Sequence, residues 1–413
     1  MPKTLYICYF WLNESLVQSQ VLPYLRELRK GGVEVTLLTF EADFDATWTE
    51  EKLQTARQEM ASEGIGWEYL RYHKRPSVPA TLFDIMNGAR VVGKLLRHHR
   101  FDVLHCRVHV PALMAVIARR FSQYKPKILF DIRGFFPEEY TDAGLWPREG
   151  WLFKTVKSIE ARLMKESDAF VVLTEAAREV LFPESRENGY DRGGRPVEVI
   201  PCCVDLRRRF SRDRQVLRDE TRRQLKVEDR FVITHIGGLS GLYLTDKLAD
   251  LLGAARAEDA STFAMFLTQA DPELIVPLLK ARGFGDADLF VGKVAPTEIP
   301  AYLSASDVGL SFVKAGYATK SRSPTKIPEY LAAGVPIIAN AGVGDVDRLI
   351  ERNGVGTLVE DLSDDSYLRA IRRIKELGDI SDTCIATARR EFDLEQVGGT
   401  RYRRLYDRLL RTK

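Results

Sequence analysis

Short apolar runs alternate with amphipathic stretches along most of this chain. Runs over 5–10, 33–40, 103–106, 128–131, 169–173 and 197–201 read as buried strands. Helical spacing appears between them over 21–30, which is ended by Gly31-Gly32, and over 85–97, 111–121 and 151–166. From 183 to 196 the texture turns to Glu, Asn, Gly, Asp and Arg, and a basic, helix-prone segment covers 206–226. The alternation then restarts, with strands over 231–236, 262–267, 289–291, 308–312 and 336–339. This pattern predicts two doubly wound α/β domains joined near residue 205, with parallel sheets covered by helices on both faces. Two such lobes are expected to leave a cleft between them and to bind ligands at the strand C-termini. The closing segment, 394–413, reads as a helix with Tyr402, Leu405, Tyr406 and Leu409 on one face.

Composition narrows the class. Hydrophobic residues make up 45% and charged residues 29% of 413 positions, the balance of a folded globular chain. The 61 basic residues against 58 acidic give a net charge of +3, which argues against a dedicated nucleic-acid binder. The five cysteines, Cys8, Cys106, Cys202, Cys203 and Cys384, have neither zinc-ligand spacing nor an even count, so reduced thiols in a cytoplasm are expected. The opening residues carry no signal-peptide pattern, and no apolar run of about 18 residues is present, so no membrane span is predicted.

The richest stretch for chemistry is Ser321-Arg322-Ser323-Pro324-Thr325-Lys326-Ile327-Pro328-Glu329-Tyr330, followed by a small-residue run to Gly334 and the strand beginning at Val335. Ser323 is a good N-cap, Pro324 a good first helical residue and Gly334 a natural stop. Free N–H groups at such a helix start, with Ser323, Thr325 and Lys326, suit a phosphate or diphosphate. Helical side chains tilt toward the N-terminus, so Glu329 can reach back to accept hydrogen bonds from vicinal hydroxyls. The same residues also fit a plain capped helix whose Glu329 is solvated.

This stretch resembles the donor-binding motif of family-4 retaining glycosyltransferases of the GT-B fold, glycosyl transferases group 1. Glu329 matches the second of the family's two glutamates, the one that binds the nucleotide ribose. The first would fall at Ser321. The subgroup written Ser-Pro-x-Lys-x-x-Glu-Tyr is matched by Ser323, Pro324, Lys326, Glu329 and Tyr330. The turn His235-Ile236-Gly237-Gly238 is similar to the family's glycine-rich approach to the diphosphate, though the family's Arg and Lys, falling near Gly238 and Tyr243, are absent. Lys326, Arg322, Lys320 and Lys314 are the candidate replacements. Gly292-Lys293 resembles the end of the base-binding strand. In the first lobe, the register of 102–111 puts Arg107 where the family has a cleft histidine. A guanidinium there can bind an oxygen but cannot act as a base near neutral pH. His105 reads as a core histidine and His109 as the more exposed candidate. Phe130-Asp131-Ile132-Arg133-Gly134-Phe135 resembles an Asp-x-Arg-Gly-Phe signature of the subgroup, lining the acceptor side with Glu138; Asp131 and Arg133 read equally as an internal salt bridge. Asn13 and Gln18 occupy the place of the family's first glycine-rich loop.

The resemblance implies a GT-B protein: two Rossmann-like doubly wound α/β domains facing across a cleft. The acceptor-side domain spans 1–204, the donor domain 205–393, and the helix 394–413 packs back on the first. It implies a retaining, metal-independent glycosyltransferase that moves a sugar from a nucleotide-diphospho-sugar to a hydroxyl acceptor, a sugar, lipid-linked or small-molecule compound, in cell-surface polysaccharide or glycoconjugate biosynthesis. No cofactor beyond the donor is expected. Lys326, Arg107 and Glu329 are the expected catalytic residues. Gly237, Gly238, Ser323, Pro324, Thr325 and Lys326 are expected on the diphosphate, and Glu329, Gly292 and Lys293 on the nucleoside. The alternatives are an inactive sugar-nucleotide-binding module and a GT-B sugar-nucleotide 2-epimerase. Three Asp-x-Asp pairs, Asp43–Asp45, Asp286–Asp288 and Asp345–Asp347, lie in polar turns or at a helix start and read as structural. Two arginine runs, within 207–223 and 401–411, read either as solvated faces or as attraction to an anionic membrane surface.

Overall fold

The apolar runs of the N-terminal half form an all-parallel, seven-stranded sheet: β1 (Lys3–Cys8), β2 (Glu34–Glu41), β3 (Ile65–Arg71), β4 (Val103–Arg107), β5 (Lys127–Ile132), β6 (Ala169–Val172) and β7 (Val197–Val199), in the order β3-β2-β1-β4-β5-β6-β7. The second half forms a six-stranded parallel sheet: β8 (Phe231–Ile236), β9 (Thr262–Leu267), β10 (Leu289–Gly292), β11 (Val308–Ser311), β12 (Ile337–Asn340) and β13 (Gly356–Val359), in the order β10-β9-β8-β11-β12-β13. These elements come from a computed structural model that describes residues 1–411. The chain divides into two units, Met1–Pro201 together with the segment from Val397 onward, and Cys202–Gln396.

Every residue of β9, β11 and β12 is buried, which is why these strands read as uninterrupted apolar runs. At about 1.5–3 kcal/mol for each large aliphatic side chain taken from water, such strands dominate the folding energy of their unit. Both sheets reverse their winding beside the first strand, between β1 and β4 and between β8 and β11. The loops leaving the two strands diverge at such a point and open a crevice at the C-terminal edge.

Three expectations need correction. Strands β3 and β13 are absent from the sequence reading; both are edge strands, incompletely buried and too weakly apolar to stand out. The helix expected over 85–97 starts earlier, spanning Ser77–His98, because its first turns leave Val78, Leu82, Phe83 and Met86 in solvent and so break the one-sided pattern. The C-terminal segment is not one α-helix. It opens with π-helical turns, Leu394–Gly399, before the helix Thr400–Arg411. Tyr402, Leu405, Tyr406 and Leu409 are all buried in the first unit. There the Tyr402 hydroxyl donates to Asp131 (3.0 Å), and the Tyr406 hydroxyl lies 2.9 Å from that of Thr4.

Candidate active site

The crevice of the second sheet is built from its two central strands. β8 ends in Ile236, whose N–H donates to the buried Tyr330 hydroxyl (3.0 Å). That hydroxyl donates in turn to the Leu310 carbonyl of β11 (3.1 Å). Gly309 makes room for the ring, since a Cβ there would lie 2.6 Å from it. Tyr330→Phe is expected to leave two buried backbone groups unsatisfied and to cost about 1–3 kcal/mol, read by urea unfolding. Beyond Ile236 the chain turns at Gly237, whose φ of +103° excludes other residues without strain. The turn is closed against the strand-β11 exit, where the Lys314 N–H donates to the Leu242 carbonyl (2.8 Å).

Lys326 projects into this turn. Its side chain is buried, and its Nζ stands 3.9 Å from where a Gly237 Cβ would be and 4.3 Å from the centroid of the Tyr243 ring. Nζ also lies 3.4 Å from Nε2 of the buried His235. That nitrogen is also 3.1 Å from the Gly238 carbonyl. The ammonium thus faces an aromatic ring and an imidazole nitrogen, with no carboxylate partner among the described residues. Burial, with Arg322 next, pushes its pKa down to about 7. Burial, with Lys326 next, holds His235 well below the usual imidazole range, so it is neutral.

Lys326 opens the helix Lys326–Ala332, and Glu329 lies one turn along it. The helix starts two residues later than the sequence suggests. Ser323 does not cap it; its hydroxyl accepts from the Cys202 N–H (3.1 Å) instead, and Pro324 precedes the first turn. Thr325 occupies the N-cap position, exposed and without a side-chain cap. Gly334, with φ +71°, follows the helix end as expected. Glu329 is held by Arg209, which also reaches the Pro296 carbonyl (3.5 Å) in the loop beyond β10. Gly292 closes β10, and Lys293 is exposed just after it. Gly238 lies against the Tyr243 ring.

The candidates of the first unit gather at the C-terminal edge of β4 and β5. Asp131 is fully buried and accepts from Arg133 Nε (2.9 Å) and from Tyr402. The internal salt bridge is thus present. Burial alone would raise the Asp131 carboxyl; Arg133, His105 and Arg107 overturn this and hold it well below the carboxylate range. Arg107 is buried and donates to the Gln20 carbonyl (3.4 Å), while its Nε has no partner. His105 is a core histidine, Nδ1 lying 3.0 Å from the Tyr406 hydroxyl. His109 is not the exposed group expected. It is buried, with Nε2 3.0 Å from Glu160 and its ring between Phe130 and Phe136. Glu138 pairs with Lys157 (3.0 Å). Asn13 is exposed, and Gln18 donates to the Leu12 carbonyl (2.8 Å).

The sequence reading missed Arg209, His235 and Tyr243 as site residues. Arg209 was hidden in an arginine run; His235 and Tyr243 flank the glycine turn already noted, and only the sheet register puts both against Lys326. Most members of the two arginine runs form ion pairs within their own units, several of them while remaining exposed. Arg207 pairs with Glu395, Arg212 with Glu220, Arg222 with Asp307, Arg403 with Glu27 and Arg404 with Glu198. Of the Asp-x-Asp pairs, Asp45 pairs with Arg71, Asp286 with Lys280 and Asp288 with Arg230 and Arg256, while Asp347 accepts from the Gly342 N–H.

Comparison with known proteins bears on this geometry. Residues 17–208 match the family model described as Glycosyltransferase Family 4, and residues 247–391 that of Glycosyl transferases group 1. No curated protein matches the sequence. Among solved structures, a glycosyltransferase from Rickettsia africae is 14% identical with a TM-score of 0.72, covering 100% of this chain and 99% of its own. Sucrose-phosphate synthase from Thermosynechococcus elongatus is 15% identical with a TM-score of 0.70, covering 100% of both chains. HepE of Anabaena, in complex with UDP and glucose, is 14% identical with a TM-score of 0.69, covering 98% of this chain and 100% of its own. At these identities the likeness shows the fold, which is GT-B with two Rossmann-like domains.

Proposed function

Because this chain belongs to the glycosyltransferases of family 4 and group 1, and so transfers sugar, we propose that it is a retaining, metal-independent enzyme using a nucleotide-diphospho-sugar. The observation that carries this reading is the buried Lys326 ammonium at the Gly237 turn, without a carboxylate partner among the described residues. A diphosphate supplies the missing negative charge. Departure of a nucleoside diphosphate from the sugar builds charge on the phosphate oxygens, and a preorganised cation in a dry site stabilises that charge without a metal. The acceptor hydroxyl then attacks the anomeric carbon on the face the diphosphate leaves. Its proton passes to a phosphate oxygen, so no protein nucleophile is required. Glu329, fixed by Arg209, accepts from the ribose hydroxyls. The Anabaena protein holding UDP and glucose in the same fold supports a nucleotide-sugar donor.

On the first unit, Arg107 and Arg133 orient the acceptor, a hydroxyl compound of surface polysaccharide or glycoconjugate assembly. Five free, buried cysteines support a cytoplasmic setting.

The test is a thermal-shift screen of UDP-, GDP-, ADP- and CDP-sugars, with and without Mg²⁺, on the wild type and Glu329→Ala. Binding raises apparent stability by mass action, about 2.7 kcal/mol at a hundredfold excess over Kd. A shift with one nucleotide that ignores Mg²⁺ and is lost in the variant is expected. A shift that needs Mg²⁺ overturns metal independence; a shift retained by Glu329→Ala removes the ribose role.

A further inference from the structure

We propose that the outward face of the helix Ser77–His98 docks this protein on an anionic lipid surface. The apolar side chains Val78, Leu82, Phe83 and Met86 on this helix are 44%, 56%, 56% and 59% exposed. At 3.6 residues per turn they fall on one stripe, and Arg90, Lys94 and Arg97 continue that stripe toward the helix C-terminus. Lys74 and Arg75 flank its start. All five cations are exposed, and none has an ion-pair partner among the described residues.

The acidic side of the segment is hidden. Between residues 72 and 100 the sole acidic side chain is Asp84. It is fully buried, accepting from the Tyr9 hydroxyl (2.8 Å) and the His73 N–H (3.0 Å), and lying 2.6 Å from His73 Nδ1. These bonds anchor the first turns of the helix to the unit and leave apolar groups and positive charge facing out. A large apolar cluster bordered by unpaired cations is the surface that sinks to the acyl boundary while its charges meet anionic headgroups. A second copy of the chain fits poorly, because it would set like charges together.

The position suits the unit's chemistry. The helix follows β3 and precedes β4, so its apolar end lies at the C-terminal edge of the sheet. That edge also carries Arg107, Arg133 and Glu138. The inference does not depend on the donor being a nucleotide sugar. It also moves any membrane contact away from the two arginine runs, whose members mostly pair within their own units.

The experiment is vesicle flotation of the full chain with equal parts phosphatidylcholine and phosphatidylglycerol, and with phosphatidylcholine alone. Three proteins are compared: wild type, a Leu82→Ser/Phe83→Ser/Met86→Ser variant and an Arg90→Glu/Lys94→Glu/Arg97→Glu variant. Wild type is expected to float with the anionic vesicles, and each variant to bind at least about tenfold more weakly, with thermal unfolding unchanged. A Phe83→Trp protein should shift its emission to the blue on the anionic vesicles alone. No flotation of wild type, or variants that float like it, overturns the proposal. So does a wild-type dimer in solution that the apolar variant converts to monomer without vesicle binding, which would assign the face to a second copy.

Discussion

Lys326→Met is expected to lower kcat/KM by about 10²–10³-fold, the usual effect of removing one preorganised group from a developing anion. The same variant should be at least as stable as the wild type. Methionine keeps the length and apolar contacts of the lysine stem, and it removes an ammonium that is buried with no carboxylate partner among the described residues. Loss of activity with retained or raised Tm separates a role at the diphosphate from damage to the fold. A variant that loses both would assign Lys326 to structure.

The charge of Lys326 makes the same site pH-dependent. With its pKa pushed down to about 7, the free protein holds the protonated form below that pH and the neutral form above it. A bound diphosphate favours the ammonium, so donor binding takes up a proton above pH 7. Affinity should be full below 7 and fall by up to about tenfold per pH unit as pH rises beyond it. The stability effect has the opposite sense. The unfolded lysine keeps its proton to about 10.4, so between 7 and that value the unfolded chain binds more protons, and stability rises with pH. Calorimetric titration at pH 8 in buffers of different ionisation enthalpy measures the uptake directly. Lys326→Met should show none.

What the sequence revealed and what it concealed divide along one line, between local and distant causes. Strands β8 and β9 and the helix Trp151–Glu166 fall on the residues expected, because continuous apolar runs and helical periodicity are properties of a short window. Lys326 and Glu329 stood out for the same reason, being set in one helix start. The misses depend on partners far along the chain. Ser323 looks like a cap until Cys202, 121 residues away, takes its hydroxyl. Arg209 looks like one of a solvated run until Glu329, 120 residues on, meets it. His109 looks exposed until Glu160 and two phenylalanine rings enclose it. Conversely, nothing in the sequence marks Val78, Leu82, Phe83 and Met86 as an exposed face, because only the packing of Ser77–His98 on its unit decides which side stays in solvent.

Asp131→Ala should be the most destabilising single change in the first unit, costing about 3–5 kcal/mol, the usual effect of breaking a buried ion pair from one side. Asp131 is the carboxylate facing Arg133, whose side chain is 6% exposed, and it lies 3.6 Å from His105 Nε2, with Arg107 adding positive charge nearby. Without it two buried guanidinium groups share a low-dielectric edge uncompensated, and the Tyr402 hydroxyl loses its acceptor. For a unit of this size the Tm should fall by roughly 10 °C. The pH sense follows from the depressed carboxyl. Its stabilisation is complete above the unfolded value near 3.9 and is lost as pH falls below it. Wild type should therefore lose stability in that acid range more steeply than Asp131→Asn, which has no proton to take up there. Adding Arg133→Met to Asp131→Leu should recover part of the loss, because it removes a stranded charge instead of creating one. If the double variant is as unstable as the sum of the single ones, Asp131 and Arg133 act independently, and the contribution of Asp131 lies in its bond from the Tyr402 hydroxyl, which ties β5 to the C-terminal helix.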